Sequence, residues 1–403
     1  MKEFISVTEA LQIVLENVRS TGSETVSLDG TLHRTLAEDL VSRDDIPPFT
    51  NSAMDGFAVR MSDLKDLPKS LTVIEDVFAG TVPLEVVHPG TCSRIMTGAV
   101  IPEGADAVVP VEWTREPDED RVMIERAPLV GQYVRLRGED VRAGDTVIPS
   151  GSIVSPPTVG MMASLGYARV RVARRPTVSV VSTGDELVDV TADLTQGTIR
   201  DSNGPALAAQ AAAAGAEVLG PFRARDDLAD IRCAIEAARE ADVILFSGGV
   251  SVGSHDFVKR VLDEAGMQIL FWKVRQRPGK PLAFGLLTGS VVFGLPGNPV
   301  SSAICFDCYV RPALAVMMRR RIVHRRRAVA KLEKPTPKSA GLHWFARGIA
   351  RYDETGELLV RDTGPQASNL YSSMAFADCL IHLPEHLERA DKGIRVEIEW
   401  LTW

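Results

Sequence analysis

Five acids and two cations carry the chemistry available to this sequence: Asp185, Glu186, Asp226, Asp227 and Asp256 on one side, Arg277 and Lys280 on the other. All seven lie in short polar segments that follow apolar runs. These are Ser182-Thr183-Gly184-Asp185-Glu186, Arg225-Asp226-Asp227, the glycine-rich loop 247–256, Arg277-Pro278-Gly279-Lys280-Pro281 and the stretch from Leu295 through Asn298 to Ser302. Carboxylates of this kind suit a hard divalent cation, and Mg²⁺ is commonly held by one or two of them together with substrate phosphates. Arg277 and Lys280 flank a tight turn with no acid nearby in sequence. That pattern suits a tetrahedral oxyanion, with Ser301 and Ser302 adding donors where a helix begins. The Ser247-Gly248-Gly249-Val250-Ser251 segment leaves an apolar run and enters a helix, so its backbone N–H groups could cradle a phosphate; a ligand-free turn accounts for it equally well. For Asp226, Asp227 and Asp256, helix capping is the competing reading.

The elements that must position these residues alternate strand and helix across 176–318. Strands are predicted at 178–181, 218–222, 243–246 and 289–293, and helices at 205–214, 228–239 and 256–264. A last helix follows Pro299, and Pro312 is expected to kink or end it. Right-handed crossovers then require a doubly wound, mostly parallel sheet covered on both faces. In such a sheet the loops leaving the carboxyl ends of the strands share one edge, where ligands bind. Acids and an anion cradle on one rim would repel a bound phosphate unless a cation lies between them. No GxxxxGK[ST] and no GxGxxG occurs, which disfavours P-loop NTPases and dinucleotide dehydrogenases.

The fold class expected for the 403 residues is multidomain, α/β plus β. Segments 1–43 and 141–172 form a discontinuous N-terminal α/β domain, 44–140 an inserted β domain, 173–325 the α/β domain and 326–403 a C-terminal β domain. Ser6 and Glu9 read as a capping box ahead of the helical stripe Ala10, Leu11, Val14, Leu15 and Val18, and Asp353 to Gly356 as a hairpin turn. A formal charge of -8 argues against nucleic acid or an anionic membrane as partner and for a small molecule. Five cysteines make a poor disulfide framework, and no run approaches the roughly 18 apolar residues of a spanning helix, so a cytoplasmic protein is expected. Cys305 and Cys308 read as buried helical thiols, and the arginine-rich run 319–327 as a solvated domain junction. Asp55, Thr97 and Asp140 read on their own as turn residues.

Taken in order, several motifs resemble the MoeA family, the molybdopterin molybdotransferases that include the E domains of gephyrin and of its plant counterpart. They are Pro47-Pro48-Phe49-Thr50-Asn51-Ser52-Ala53-Met54-Asp55-Gly56-Phe57, Arg94-Ile95-Met96-Thr97-Gly98-Ala99, Ser182 to Leu187, Gly248 to Gly253, Pro278 to Pro281 and Leu295 to Pro299. The resemblance spans nearly the whole chain and implies a molybdopterin-binding-like central domain. The implied reaction inserts molybdate into adenylylated molybdopterin, with Mg²⁺, release of AMP and formation of molybdenum cofactor. It implies Glu186, Asp226, Asp256, Asp55 and Asp140 as catalytic, with Glu186, Asp226 and Asp256 as metal ligands. Thr97, Gly248, Gly249, Ser251, Gly297 and Asn298 would bind molybdopterin, and Arg277, Lys280, Pro281, Ser301, Arg347 and Ser373 would bind molybdate. A homodimer is implied, its active site shared so that Asp55, Thr97 and Asp140 come from the other subunit, and the molybdopterin adenylyltransferase is an implied partner. Arg277 stands where the family often has lysine. Two alternatives remain open: adenylyl transfer from ATP, and a non-catalytic molybdopterin-binding scaffold.

Overall fold

The computed structural model describes residues 1–118, 120–249 and 257–401. The chain divides into two compact units: Met1–Glu38, Ser150–Val159 and Arg169–Trp403 form one, Asp39–Pro149 and Gly160–Ala168 the other.

The first unit is organised by a seven-stranded sheet in the order Lys2–Ile5, Gln268–Val274, Ala283–Leu287, Ser290–Leu295, Val243–Ser247, Thr177–Thr183 and Glu217–Ala224. Four neighbouring pairs are parallel and two antiparallel. The apolar runs at 178–181 and 243–246 are buried throughout, as a sheet covered on both faces demands. Strands at 177–183, 217–224, 243–247 and 290–295 match the sequence expectation. Lys2–Ile5, Gln268–Val274 and Ala283–Leu287 are additions, and the last of these makes the sheet mixed. Helices Asn203–Ala213, Leu228–Ala238 and Phe257–Glu264 cross between strands. Val7–Asn17 is capped by Ser6, whose hydroxyl accepts from the Glu9 amide at 3.1 Å.

Pro312 does not end the last helix. A single run extends over Pro299–Met317, long and apolar enough by composition to cross a membrane, yet 83% of it is buried inside the fold. It is a core helix. Its middle turn, Phe306–Val310, widens to a π-helix just before Pro312, which then sits in the first turn of the next α-helical segment, where its missing N–H costs little. That turn also carries Asp307, wholly buried and held by Arg325 at 2.8 Å and Arg311 at 3.3 Å. Arg327 reaches Glu399 at 2.9 Å and Glu397 at 2.9 Å. The arginine run 319–327 is therefore not a merely solvated junction, because a carboxylate at this depth persists only when paired.

The C-terminal portion forms a closed ring of strands: His343–Tyr352, Leu358–Asp362, Arg327–Leu332, Arg395–Trp400 and Cys379–Leu383, the last pairing again with the first. The predicted hairpin turn is present, with Asp353 Oδ1 accepting from the Thr355 and Glu357 amides at 2.9 Å each. The short strand Gln276–Arg277 joins the ring's rim, its residues aligned with His343 and Trp344. In the second unit a six-stranded sheet runs Ala107–Pro110, Gly56–Val59, Thr91–Ile95, Lys69–Val77, Arg121–Ile124 and Thr114–Asp118 around a core of Phe57, Leu71, Val109 and Val122.

Replacing Asp307 by Ala removes the buried carboxylate that pairs with Arg311 and Arg325, and stability should fall by about 3–5 kcal/mol, read as a lowered thermal midpoint. Burial pulls His343 down to about 4 and His382 down to about 3, assisted by Lys338 and Arg327 at the first and by His343 and Arg327 at the second. Glu397 and Glu399 lie 4.0 and 3.9 Å from the His382 ring nitrogens. Neutral imidazole is favoured in the folded state, so the contribution is intact above pH 6.5, the ordinary histidine value, and declines as pH falls through 6.5 toward 4 and 3. Thermal unfolding from pH 7.5 to 4.5 should show this decline, and His343→Gln should make it shallower.

Candidate active site

Backbone register lines up the strand ends. Ser182 pairs with Ser247, and Ser247 with Leu295, while Thr183 pairs with Ala224, so four polar loops depart from one edge. The Gln268–Val274 strand runs in the same direction as these, so the 275–282 loop leaves from that edge as well. A cavity of ≈ 620 Å³ opens there, its lining including Ser182, Thr183, Glu186, Asp226, Gly248, Gly249, Pro281, Gly297 and Asn298. A second cavity of ≈ 280 Å³ is lined by Arg277, Pro278, Gly279, Lys280, Pro281, Asn298, Ser301 and Gln366 among others. The two share Pro281, Pro296 and Asn298 as a common wall.

The larger cavity holds the acids. Glu186 is exposed, and Asp226 is half-buried with its amide donating to Asp185 Oδ1 at 3.1 Å. Asp227 is a helix cap, its carboxylate accepting from the Ala229 and Asp230 amides at 2.8 and 3.0 Å. Asp256 and Ser251 lie outside the described residues. Among the described residues no cluster of three metal-ligating side chains occurs. Of the three carboxylates lining this space, Asp201 is buried and accepts from the Gly204 amide at 2.9 Å, while Glu186 and Asp226 present hard oxygen donors, a set that fits Mg²⁺ held with substrate phosphates.

Close backbone approach needs the glycine at 248. Its φ is +98°, and a methyl group there would lie 2.6 Å from the Thr183 carbonyl oxygen. One residue absent from the sequence expectation joins the loops: Asn203 Nδ2 donates to Ser247 Oγ at 2.8 Å and to the Gly297 carbonyl at 2.7 Å. Arg200, Asp201 and Ser202 line the cavity beside it, where helix Asn203–Ala213 begins. The signal was present as a polar Asp-Ser-Asn-Gly run immediately before the predicted helix. Ser182 Oγ and Thr183 Oγ1 are buried without hydrogen-bond partners among the described residues, leaving two hydroxyls at the cavity wall.

The smaller cavity holds the cations. Neither Arg277 nor Lys280 forms an ion pair among the described residues. Arg277 Cζ lies 4.3 Å from the centre of the Trp344 ring, and Lys280 Nζ lies 5.1 Å from that of Phe4. The amino end of the Pro299–Met317 helix, with Ser301, points into the same space and adds partial positive charge. Ser302 is buried with its hydroxyl unbonded and does not line the cavity. Beneath the loop, Gln276 Nε2 donates to the Pro278 carbonyl at 3.1 Å, and Tyr309 Oη donates to Gln276 Oε1. Cys305 Sγ lies 3.6 Å from the Gly279 carbonyl, which gives this buried thiol a structural place. Arg347 and Ser373 are together and buried but do not line the cavity: Arg347 Nε donates to Ser373 Oγ at 3.1 Å, and its terminal nitrogen donates to the Ala367 carbonyl at 3.2 Å. Burial lowers Arg347 to about 10, opposed by the Asp362 carboxylate and reinforced by the Arg277 cation. It stays charged at neutral pH.

In the second unit Asp55 and Thr97 meet. Asp55 Oδ1 accepts from the Thr97 amide at 2.6 Å and from its hydroxyl at 2.7 Å, and these bonds hold the carboxyl below its ordinary range. Asp140 is exposed.

Comparison with known proteins follows the same order along the chain. Residues 5–166 match the MoeA N-terminal region (domain I and II), 179–316 the probable molybdopterin binding domain and 329–401 the MoeA C-terminal region (domain IV). A molybdopterin molybdenumtransferase of Haemophilus influenzae is 38% identical over 383 residues, 94% of each chain. The chain belongs to the MoeA family. The Bacillus subtilis molybdopterin molybdenumtransferase is 35% identical over 402 residues, 98% of this chain and 93% of its own length. The crystal structure of the molybdopterin biosynthesis MoeA protein from Pyrococcus horikoshii superposes with a TM-score of 0.85 at 30% identity, covering 99% of this chain and 100% of that one.

The packing under the cation loop can be tested on stability alone. A methyl group at Gly279, φ +92°, would lie 2.5 Å from both Cys305 Sγ and Gln276 Nε2, whereas one at Gly289, φ +86°, meets nothing within 4 Å. Both alanine variants carry the backbone strain, so Gly279→Ala should be the less stable by roughly 1–3 kcal/mol, compared by thermal unfolding.

Proposed function

We propose that this protein is a molybdopterin molybdotransferase that inserts molybdate into adenylylated molybdopterin with release of AMP. The observation that carries this reading is the pair of adjoining cavities, one lined by three carboxylates and a single arginine, the other by two cations unpaired among the described residues, with Pro281, Pro296 and Asn298 between them. A substrate spanning that wall meets both chemistries at once.

In this reading Gly248, Gly249, Gly297 and Asn298 present backbone and amide donors to the phosphorylated pterin, and Asn203 fixes the two loops against each other. Glu186 and Asp226 would hold Mg²⁺, which when bound offsets the negative charge of the phosphoanhydride and polarises it for cleavage. Arg277, Lys280 and Ser301 hold the oxyanion beside that bond, with Pro281 shaping the wall, and Arg347 adds positive potential from behind while Ser373 orients it. Asp55, Thr97 and Asp140 complete the site from the other subunit of a homodimer, and Ser251 and Asp256 from the glycine-rich loop. The upstream molybdopterin adenylyltransferase belongs to the same proposal as supplier of the adenylylated substrate, as does the division into domains at 1–43 with 141–172, 44–140, 173–325 and 326–403. Five free cysteines support a reducing, cytoplasmic setting.

Purified protein supplied with adenylylated molybdopterin, molybdate and Mg²⁺ should release AMP and yield molybdenum cofactor; release of neither would refute the assignment. Glu186 is exposed, so Glu186→Gln should slow AMP release by roughly 10²-fold or more while the circular dichroism and thermal midpoint stay put. Full turnover in that variant removes Glu186 from the mechanism.

A further inference from the structure

We propose that Trp344 is a positioning residue for oxyanion capture, its indole ring holding the Arg277 guanidinium at the smaller cavity. The inference rests on the reading of that cavity as an oxyanion site and identifies what organises it.

Four observations converge on the ring. Arg277 Cζ stands 4.3 Å from its centre, within cation–π range. Arg277 and Trp344 are partners in the parallel ladder between Gln276–Arg277 and His343–Tyr352, so the backbone itself brings the two side chains side by side. Trp344 is 7% exposed and packs in the C-terminal core with Leu332, Val360 and Leu383, which fixes the ring in place. Its indole N–H is buried without a hydrogen-bond partner among the described residues. That last point discriminates between roles. A buried N–H without a partner costs free energy, so phenylalanine would fill this place more cheaply if packing were the whole purpose. What indole adds over phenyl is the stronger cation-binding face.

The arrangement also explains how two cations can wait for an anion. Had Arg277 and Lys280 been held by carboxylates, a ligand oxyanion would have to displace those partners. Aromatic rings hold a cation without neutralising it, and Lys280 rests near Phe4 at 5.1 Å in the same way. The positive potential remains available to the ligand. Arginine at 277 fits this platform, because a planar guanidinium stacks on the ring while its edge keeps donors free for oxygen. Lys338 Nζ also lies 5.9 Å from the Trp344 ring, but its ammonium already donates to the Ser339 and Leu342 carbonyls at 2.6 and 2.7 Å.

The test is molybdate binding to the full-length protein by equilibrium dialysis with elemental analysis, alongside indole fluorescence. Trp344→Leu should weaken molybdate binding by roughly 5- to 30-fold, the range implied by a cation–π contact, and Trp344→Phe by less. Arg277→Lys should weaken binding in the wild-type background and add little in Trp344→Leu, a coupling that a purely structural tryptophan would not produce. Molybdate should change the emission of the wild-type protein, and that change should vanish in Trp344→Phe although the other tryptophans remain. Should Trp344→Leu fail to fold, the Trp344→Phe affinity, its emission and its coupling to Arg277→Lys decide the matter. Wild-type affinity and an unaltered emission response in the Trp344 variants would overturn the proposal while leaving the oxyanion site standing. If the wild-type protein shows no saturable molybdate binding, the oxyanion reading fails and this proposal goes with it.

Discussion

The parallel hydrogen-bond ladder through Ser182, Ser247 and Leu295 is the constraint on which everything else depends. It forces three loops to leave adjacent strands at one level, so that residues more than a hundred positions apart face a common space. The glycines then decide how closely the loops approach. At Gly248 the chain passes near the Thr183 carbonyl at a distance no side chain permits, and Asn203 ties that loop's base to Gly297. Slipping the register by one residue would turn the cavity wall over. The cavity is thus a property of the sheet, and the side chains only give it a sign.

That sign differs between the two compartments. Glu186, Asp201 and Asp226 line the larger one with Arg200 as its one cation among the described residues, while Arg277 and Lys280 line the smaller, beyond the proline-rich wall. Holding like charges near one another costs free energy, which the fold tolerates where a ligand of opposite charge offsets it. Elsewhere charge is spent differently. Asp307, Arg311, Arg325, Arg327 and Glu399 pair with one another around the core helix, so their burial serves the joining of the helix to the C-terminal ring.

Much of this was legible in the sequence because it depends on local pattern. Apolar runs of strand length, each followed within two residues by glycine and then by polar residues, located the strands at 177–183, 243–247 and 290–295 and the loops that leave them. What depended on pairing between distant segments was not legible. Gln268–Val274 and Ala283–Leu287 became visible as strands only through their antiparallel contacts, and Lys2–Ile5 only as an edge added to them. Asn203 was missed because its role lies in contacts to residues 44 and 94 positions away. Asp226 and Asp227 are neighbours with the same chemistry, yet one faces the cavity and the other caps a helix, a difference set by backbone direction alone. Arg347 and Ser373 were named only through resemblance, and their hydrogen bond spans a separation of 26 residues that no local signal marks.

The central claim is that an oxyanion and a carboxylate-held metal occupy adjoining compartments of one rim. The direct measurement is a crystal structure of the protein soaked with molybdate, AMP and Mg²⁺, with anomalous scattering recorded at the molybdenum edge. The account predicts a molybdenum peak within hydrogen-bonding reach of Arg277 and Lys280, and AMP in the larger cavity with its phosphate toward Glu186 and Asp226. A molybdenum peak elsewhere, such as the arginine-rich 319–327 segment, with the cavity beside Lys280 empty, would contradict it.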